Sequence, residues 1–74
     1  MSNVTDEAMK RWGLTLEVNQ AGPLLEQMAR QWSVVVDWTV YGRYSVAWRG
    51  EVGVGDSVLV AALNCIQEKH EAMA

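Results

Sequence analysis

The sequence predicts an α+β fold: a small domain of order β-α-β-β-α, with a three-stranded sheet and two packing helices. Three patterns point to it. The run Leu14-Thr-Leu-Glu-Val18 alternates apolar and polar residues, the period of a half-buried strand. The stretches from Ser33 to Val40 and from Tyr44 to Arg49 are rich in strand-favouring residues and flank a glycine turn. Two further stretches, from Pro23 to Trp32 and from Val58 to Ile66, repeat apolar residues at helical spacing. With 74 residues the chain makes one domain at most. Half of its residues are hydrophobic, which supports folding over disorder. A domain of this size buries only about 60% of the surface its unfolded chain exposes, so each core residue counts.

Residues 1–13 read as a flexible or short helical lead-in, and 14–74 as the single α/β interaction domain. Thr5 or Asp6 can cap a short helical turn that runs to Arg11, and Gly13 ends it. The strand from Leu14 to Val18 follows. Asn19-Gln-Ala-Gly22 turns the chain into the first helix, with Pro23 at the first helical position, where its missing N–H costs nothing. Leu25, Met28, Ala29 and Trp32 form the expected buried face of that helix, and Glu26, Gln27, Arg30 and Gln31 the wet one.

In the next stretch Val34, Val36 and Trp38 share one face of a strand, and Val35 and Asp37 the other. Tyr41-Gly42-Arg43 turns the chain, with glycine where φ is positive. Tyr44 to Arg49 returns antiparallel, with Val46 and Trp48 on one side and Ser45, Ala47 and Arg49 on the other. An ion pair between Asp37 and Arg49 is expected across this hairpin. Gly50-Glu-Val-Gly-Val-Gly55 reads as a flexible connector. Asp56 or Ser57 caps the second helix, whose stripe is Val58, Leu59, Ala62, Leu63 and Ile66. Residues 67–74 extend it and fray at the end.

Composition narrows the function. Net charge is −3 and the basic residues are scattered, without the basic patch of a nucleic-acid binder. No apolar run reaches the roughly 18 residues that would suggest a membrane span. The start, Met1-Ser-Asn-Val-Thr-Asp-Glu, is acidic and polar, unlike a signal peptide. That leaves either a cytoplasmic protein or a leader already removed. Four Trp and no Phe give large apolar area in few residues. Most of these indoles belong in the core, and one or two suit a contact surface.

The reactive residue types offer little chemistry. Cys65 is the sole cysteine and His70 the sole histidine. They lie five apart, about 140° around a helix, poorly aimed for a nucleophile–base pair. Cys65 reads instead as a small buried hydrophobe. One His and one Cys do not make a zinc shell. Gly53 and Gly55 lack the full glycine fingerprint and the Lys-Ser/Thr of a phosphate loop. The carboxylates Asp6, Asp37, Asp56 and Glu51 have no spacing that fixes acid–base geometry. The expectation is therefore a protein that is not an enzyme and carries no metal and no cofactor.

The order of these elements resembles the secretin/TonB short N-terminal domain superfamily. The residues that carry the resemblance are Leu14, Leu16 and Val18, then Gly22, Leu24 or Leu25, Met28, Ala29 and Gln31. Val34, Val36 and Trp38 follow, and Gly50, Val58, Ala62 and Leu63 complete the set. Trp12, Trp32 and Trp38 are similar to those of one branch, the toxin-coregulated pilus biosynthesis protein Q family, which includes plasmid thin-pilus proteins. The pattern covers about fifty residues. The closing strands that family members carry after the second helix are not read in residues 67–74. That departure would leave a sheet edge as a pairing template.

The resemblance implies a non-enzymatic protein–protein interaction module of a bacterial envelope assembly: a type IV pilus, a secretin-type channel, or a TonB-transducer signalling domain. Such a module is periplasmic or associated with the outer membrane. Its partner is a protein of that complex or another copy of the chain, giving a homo-oligomer. Binding by a sheet edge or a hydrophobic patch would follow. The candidate surface is the outward side of the hairpin: Val35, Asp37, Tyr41, Arg43, Tyr44 and Arg49. An ordinary solvated hairpin face is the plain alternative for those residues. The alternative for the whole chain is a small cytoplasmic α/β dimeric regulator, which fits the acidic charge and the absence of a visible leader.

Overall fold

The structure, a computed structural model, describes residues 3–16, 20–38 and 42–73. Its elements run α1 (Asn3–Arg11), α2 (Ala21–Gln31), β1 (Val34–Trp38), β2 (Tyr44–Trp48), β3 (Glu51–Gly55) and α3 (Val58–Ala72). The α+β class and the three-stranded sheet are as the sequence predicts; the sheet is antiparallel, in the order β1-β2-β3. The order of elements along the chain is α-α-β-β-β-α, however, and two of the expected assignments change.

The expected opening strand is not formed over residues 14–16, and the rest of it lies outside the described residues. The alternation is used differently. The N–H groups of Gly13 and Leu14 return to the Lys10 and Met9 carbonyl oxygens at 3.1 and 2.9 Å, with Gly13 at φ 64°. This glycine-centred turn closes α1 and drives Leu14 into the core beside Met9. The next residue, Thr15, finds its backbone partners in a side chain. Gln27 of α2 accepts from the Thr15 N–H at 2.9 Å and donates to the Thr15 carbonyl at 2.9 Å. One carboxamide thus satisfies what a neighbouring strand would have satisfied.

The third strand is instead residues 51–55, the stretch expected to be a connector. Glu51-Val-Gly-Val-Gly55 has period two: Val52 and Val54 point one way, Gly53 and Gly55 the other. Glycine weakens a strand on propensity alone. Here α3 lies directly on the glycine side. A Cβ on Gly53 would meet the backbone of Ala61 and Cys65, and one on Gly55 would meet Val60 and the Ala61 nitrogen at 2.6–2.9 Å. The glycines let helix and strand backbones touch.

The helices hold as helices, with their faces turned. α2 starts at Ala21, so Pro23 stands within the first turn, where N–H groups have no intrahelical acceptor anyway. It buries Leu24 and Met28, while Ala29 and Trp32 are exposed. α3 is capped by Ser57, whose Oγ accepts from the Val60 N–H at 3.2 Å. It buries Ala61, Ala62, Cys65 and Ile66, with Val58, Leu59 and Leu63 half-covered beside them. The stripe is shifted toward small residues because the glycine strand is its neighbour. α1 is more than a lead-in, since Ala8 and Met9 belong to the core. It is tied to α3 by Thr5 Oγ1 donating to Gln67 Oε1 at 3.0 Å and by Arg11 Nη1 donating to the His70 carbonyl at 3.3 Å.

Trp48, 1% exposed, is the centre of the molecule. Its indole N–H donates to the Met28 carbonyl at 2.9 Å, and its ring meets Trp12 edge-on at 5.4 Å between centroids. Since α2, Trp12 and α3 all pack on the side of the sheet that carries Trp48, Val46, Gly53 and Gly55, the opposite side of the sheet carries no helix among the described residues. No helix among the described residues is long and apolar enough to cross a membrane.

Candidate interaction surface

The register defines the uncovered side of the sheet. Val35 pairs with Ala47 and Ala47 with Val52, making one row; Asp37, Ser45 and Val54 make the next. Alternation within each strand places both rows on the face away from Trp48. Val35 is 60% exposed and Val52 56%, with Val54 also exposed, so three valines stand in water on this face. β-branched side chains make good strands, but nothing about strand formation requires them on a wet face, where threonine serves as well. An exposed apolar row of this kind is a candidate contact surface.

β1 adds a second feature. Among the described residues it is an edge strand, paired only with β2. Val36 and Trp38 point to the helix side of the sheet, yet α2 and α3 do not cover them, and Trp38 is 63% exposed. The β1 edge therefore offers apolar groups above and below a row of backbone donors and acceptors.

The residues singled out from the sequence divide. Val35 and Asp37 do lie on the uncovered face, and the Asp37 carboxylate accepts from the Trp38 N–H at 2.8 Å. Tyr44 pairs with Trp38 and Gly55 and so belongs to the helix side, half-buried. Arg43 lies on the loop beside β2, with Nε 3.6 Å from Asp56 Oδ1. Tyr41 falls outside the described residues. Arg49 leaves the face altogether. It forms with Gly50 a tight turn between β2 and β3, both with positive φ (52° and 84°). The expected Asp37–Arg49 pair is not made: Asp37 stands opposite Ser45, and Arg49 Nη2 donates to Gln31 Oε1 at 2.9 Å. Val52 and Val54, in the stretch expected to be a connector, join this face, and their alternation with glycine is the sequence signal for it.

Arg49 anchors a different constellation. Its guanidinium carbon lies 4.7, 5.7 and 5.8 Å from the ring centroids of Trp48, Trp32 and Trp12. A left-handed arginine costs about 1–2 kcal/mol, and stacking on indoles offsets it at about 0.5–1 kcal/mol per contact. Arg11 also sits near the Trp12 ring, 5.7 Å from its centroid. Gln31 also reaches this end, donating to the Trp12 carbonyl at 2.6 Å. Trp12, Trp32, Arg49, Lys69 and Met73 line a cleft of about 340 Å³. A larger groove of about 660 Å³ runs between α1 and residues 14–16, lined mainly by Met9, Lys10, Leu14, Leu16 and Leu63.

Cys65 is buried against β2 and β3, its thiol directed at the Glu51 carbonyl at 3.3 Å and the Trp48 carbonyl at 3.8 Å. Burial pushes its pKa from 9.0 up to about 11, so it stays a protonated thiol at neutral pH. His70 is held elsewhere, with Nδ1 3.3 Å from Arg11 Nη1 and Nε2 4.0 Å from Glu7. No cluster of three metal-ligating side chains occurs among the described residues. No family model matches the chain, and comparison with curated proteins and with solved structures finds no match either.

Proposed function

We propose that the chain is a non-enzymatic protein–protein interaction module that docks a partner on the uncovered face of its sheet and along the adjoining β1 edge. The observation that carries this reading is the row Val35–Ala47–Val52, apolar and open to water on the side away from all the packed helices. A partner strand along β1 would take up the free backbone groups and cover Trp38 and Val36 in the same step. The setting we infer, a bacterial envelope assembly such as a pilus or secretin-type channel, rests on the residues that resemble the secretin/TonB short N-terminal domains. The partner is then a protein of that assembly or a second copy of the chain.

The test is site-specific photo-cross-linking in the native cell, with the reactive group at position 35 or 52, or at the exposed helix position 68 as control. The expected result is a discrete adduct from 35 and 52 and none from 68, recovered in the envelope fraction. Equal labelling from all three positions, or none from 35 and 52, would overturn the docking face. A discrete adduct recovered in the cytoplasm would keep the face and overturn the setting.

A further inference from the structure

Three of the chain's six Lys and Arg residues gather at one end of the molecule, around two tryptophans. Arg49 and Lys69 line the cleft with Trp12, Trp32 and Met73, and Arg11 lies 5.7 Å from the centroid of the Trp12 ring. Among the described residues none of the three has a carboxylate within 4 Å; the ion pairs found there are Arg43–Asp56 and His70–Glu7. In a chain of net charge −3, three cations without an ion pair of their own among the described residues make this end locally positive, with Glu7 held on His70 as the carboxylate on its border. This end is also rigid. The Arg49 guanidinium is sandwiched by indoles and held by Gln31, and its Nε is buried with no partner among the described residues. Such a pre-oriented cation loses little freedom on binding an anion.

We propose that this cleft binds a partner peptide through a carboxylate side chain set beside an apolar or aromatic residue. The carboxylate would lie between Lys69 and Arg49, and its apolar neighbour on the exposed ring of Trp32, 59% open to water, and on Met73. Charge selects the anion. Size selects the peptide: small-molecule sites enclose most of their ligand, whereas a cleft of about 340 Å³ with Trp32 and Met73 open on its rim accommodates one or two side chains of a chain that continues past it. A polyanionic nucleic-acid strand is disfavoured by the overall negative charge. The site is separate from the sheet face and does not depend on it.

The chain's four tryptophans give a direct readout, because each indole N–H yields its own signal in a nitrogen-15-labelled sample. The titrant is an unlabelled, N-acetylated, C-amidated Phe-Glu-Phe peptide, with Phe-Gln-Phe and acetate as controls. The expected result is a saturable shift of the Trp12 and Trp32 indoles with Trp38 unmoved, and binding of the Gln peptide weaker by about tenfold, the worth of one charge-assisted hydrogen bond. Lys69→Gln should weaken the Glu peptide several-fold at an unchanged melting temperature. Arg49→Gln, checked for folding by the Trp48 indole signal, should weaken it further. No shift at millimolar peptide, a shift confined to Trp38, equal binding of the Gln peptide, or the same shifts with acetate alone at equal concentration would each overturn the proposal.

Discussion

The indole N–H of Trp48, on the middle strand, donates to the carbonyl oxygen of Met28, in the helix α2, at 2.9 Å. The same carbonyl accepts from the Trp32 N–H at 3.0 Å. Two requirements meet there: a buried indole must place its proton, and a carbonyl oxygen with two lone pairs can accept a second donor. The bond fixes the end of α2 over the middle strand, beside the second tie from Arg49 to Gln31.

Trp48→Phe keeps an aromatic ring and removes that donor. Met28 O retains the Trp32 N–H, so no acceptor is orphaned, and the expected loss is about 1–3 kcal/mol from the missing bond and the vacated volume. Trp48→Ala should cost about 3–5 kcal/mol and abolish folding in a domain this small. Thermal melts followed by circular dichroism check both. A Phe variant melting with the parent would mean that the ring alone positions α2.

Gly53→Ala and Gly22→Ala should act in opposite directions. A Cβ at position 53 runs into the backbone of Ala61 and Cys65, which cannot swing aside as a side chain would, so α3 must lift off the sheet. A Cβ at position 22 meets nothing within 4 Å and lies in a helix. The first change should unfold the protein or lower its melting temperature by more than about 10 °C; the second should raise it by a few degrees, reflecting about 0.4–1 kcal/mol of unfolded-state entropy removed.

Gln27→Ala should free the Thr15 backbone without melting the core, since Leu14 stays buried and bonded to Met9. The Thr15 amide then loses its acceptor, and hydrogen exchange at that amide should quicken several-fold while the Trp48 indole signal stays put. Gln27→Glu can still accept from the Thr15 N–H but cannot donate to its carbonyl, so it should restore only part of the protection.

Cys65 gives a pH dependence. Its pKa is raised on folding because burial disfavours the thiolate, so the folded state holds its proton more tightly than the unfolded one. The resulting stability is complete below pH 9.0 and is lost as pH rises toward about 11. Denaturant melts across that interval should fall more steeply for the parent than for Cys65→Ala. Parallel curves for the two proteins would show that the thiol keeps its ordinary pKa inside the fold.

Residues obeying one dominant force were legible in the sequence. The hairpin faces followed from strict alternation, so Val46 and Trp48 were read inward and Val35 outward. The cap at Ser57 and the turn glycine at 42, with φ 74°, followed from local chemistry. What escaped depends on partners distant along the chain. Gly53 and Gly55 look like loop residues until a helix five to twelve positions later is laid on them. Leu14 and Leu16 carry the period of a strand, yet a glutamine on α2 supplies the pairing instead. Arg49 looked like an outward strand residue, and only the tight turn at Arg49-Gly50 swings it toward the tryptophans.

The backbone contact of α3 with the glycine strand also bears on how the chain finds its fold. β2, the tight turn, β3 and α3 are consecutive, and joining them closes only short loops, whereas seating α1 against α3 joins the two ends of the sequence. Short closures come early because they sacrifice little chain entropy. The nucleus is then expected in residues 44–66, with α1 condensing onto it late. Conservative substitutions at Val46 and Ala61 should slow folding, and those at Ala8 should chiefly speed unfolding. A stopped-flow chevron with the reverse pattern would place the nucleus at the other end of the molecule.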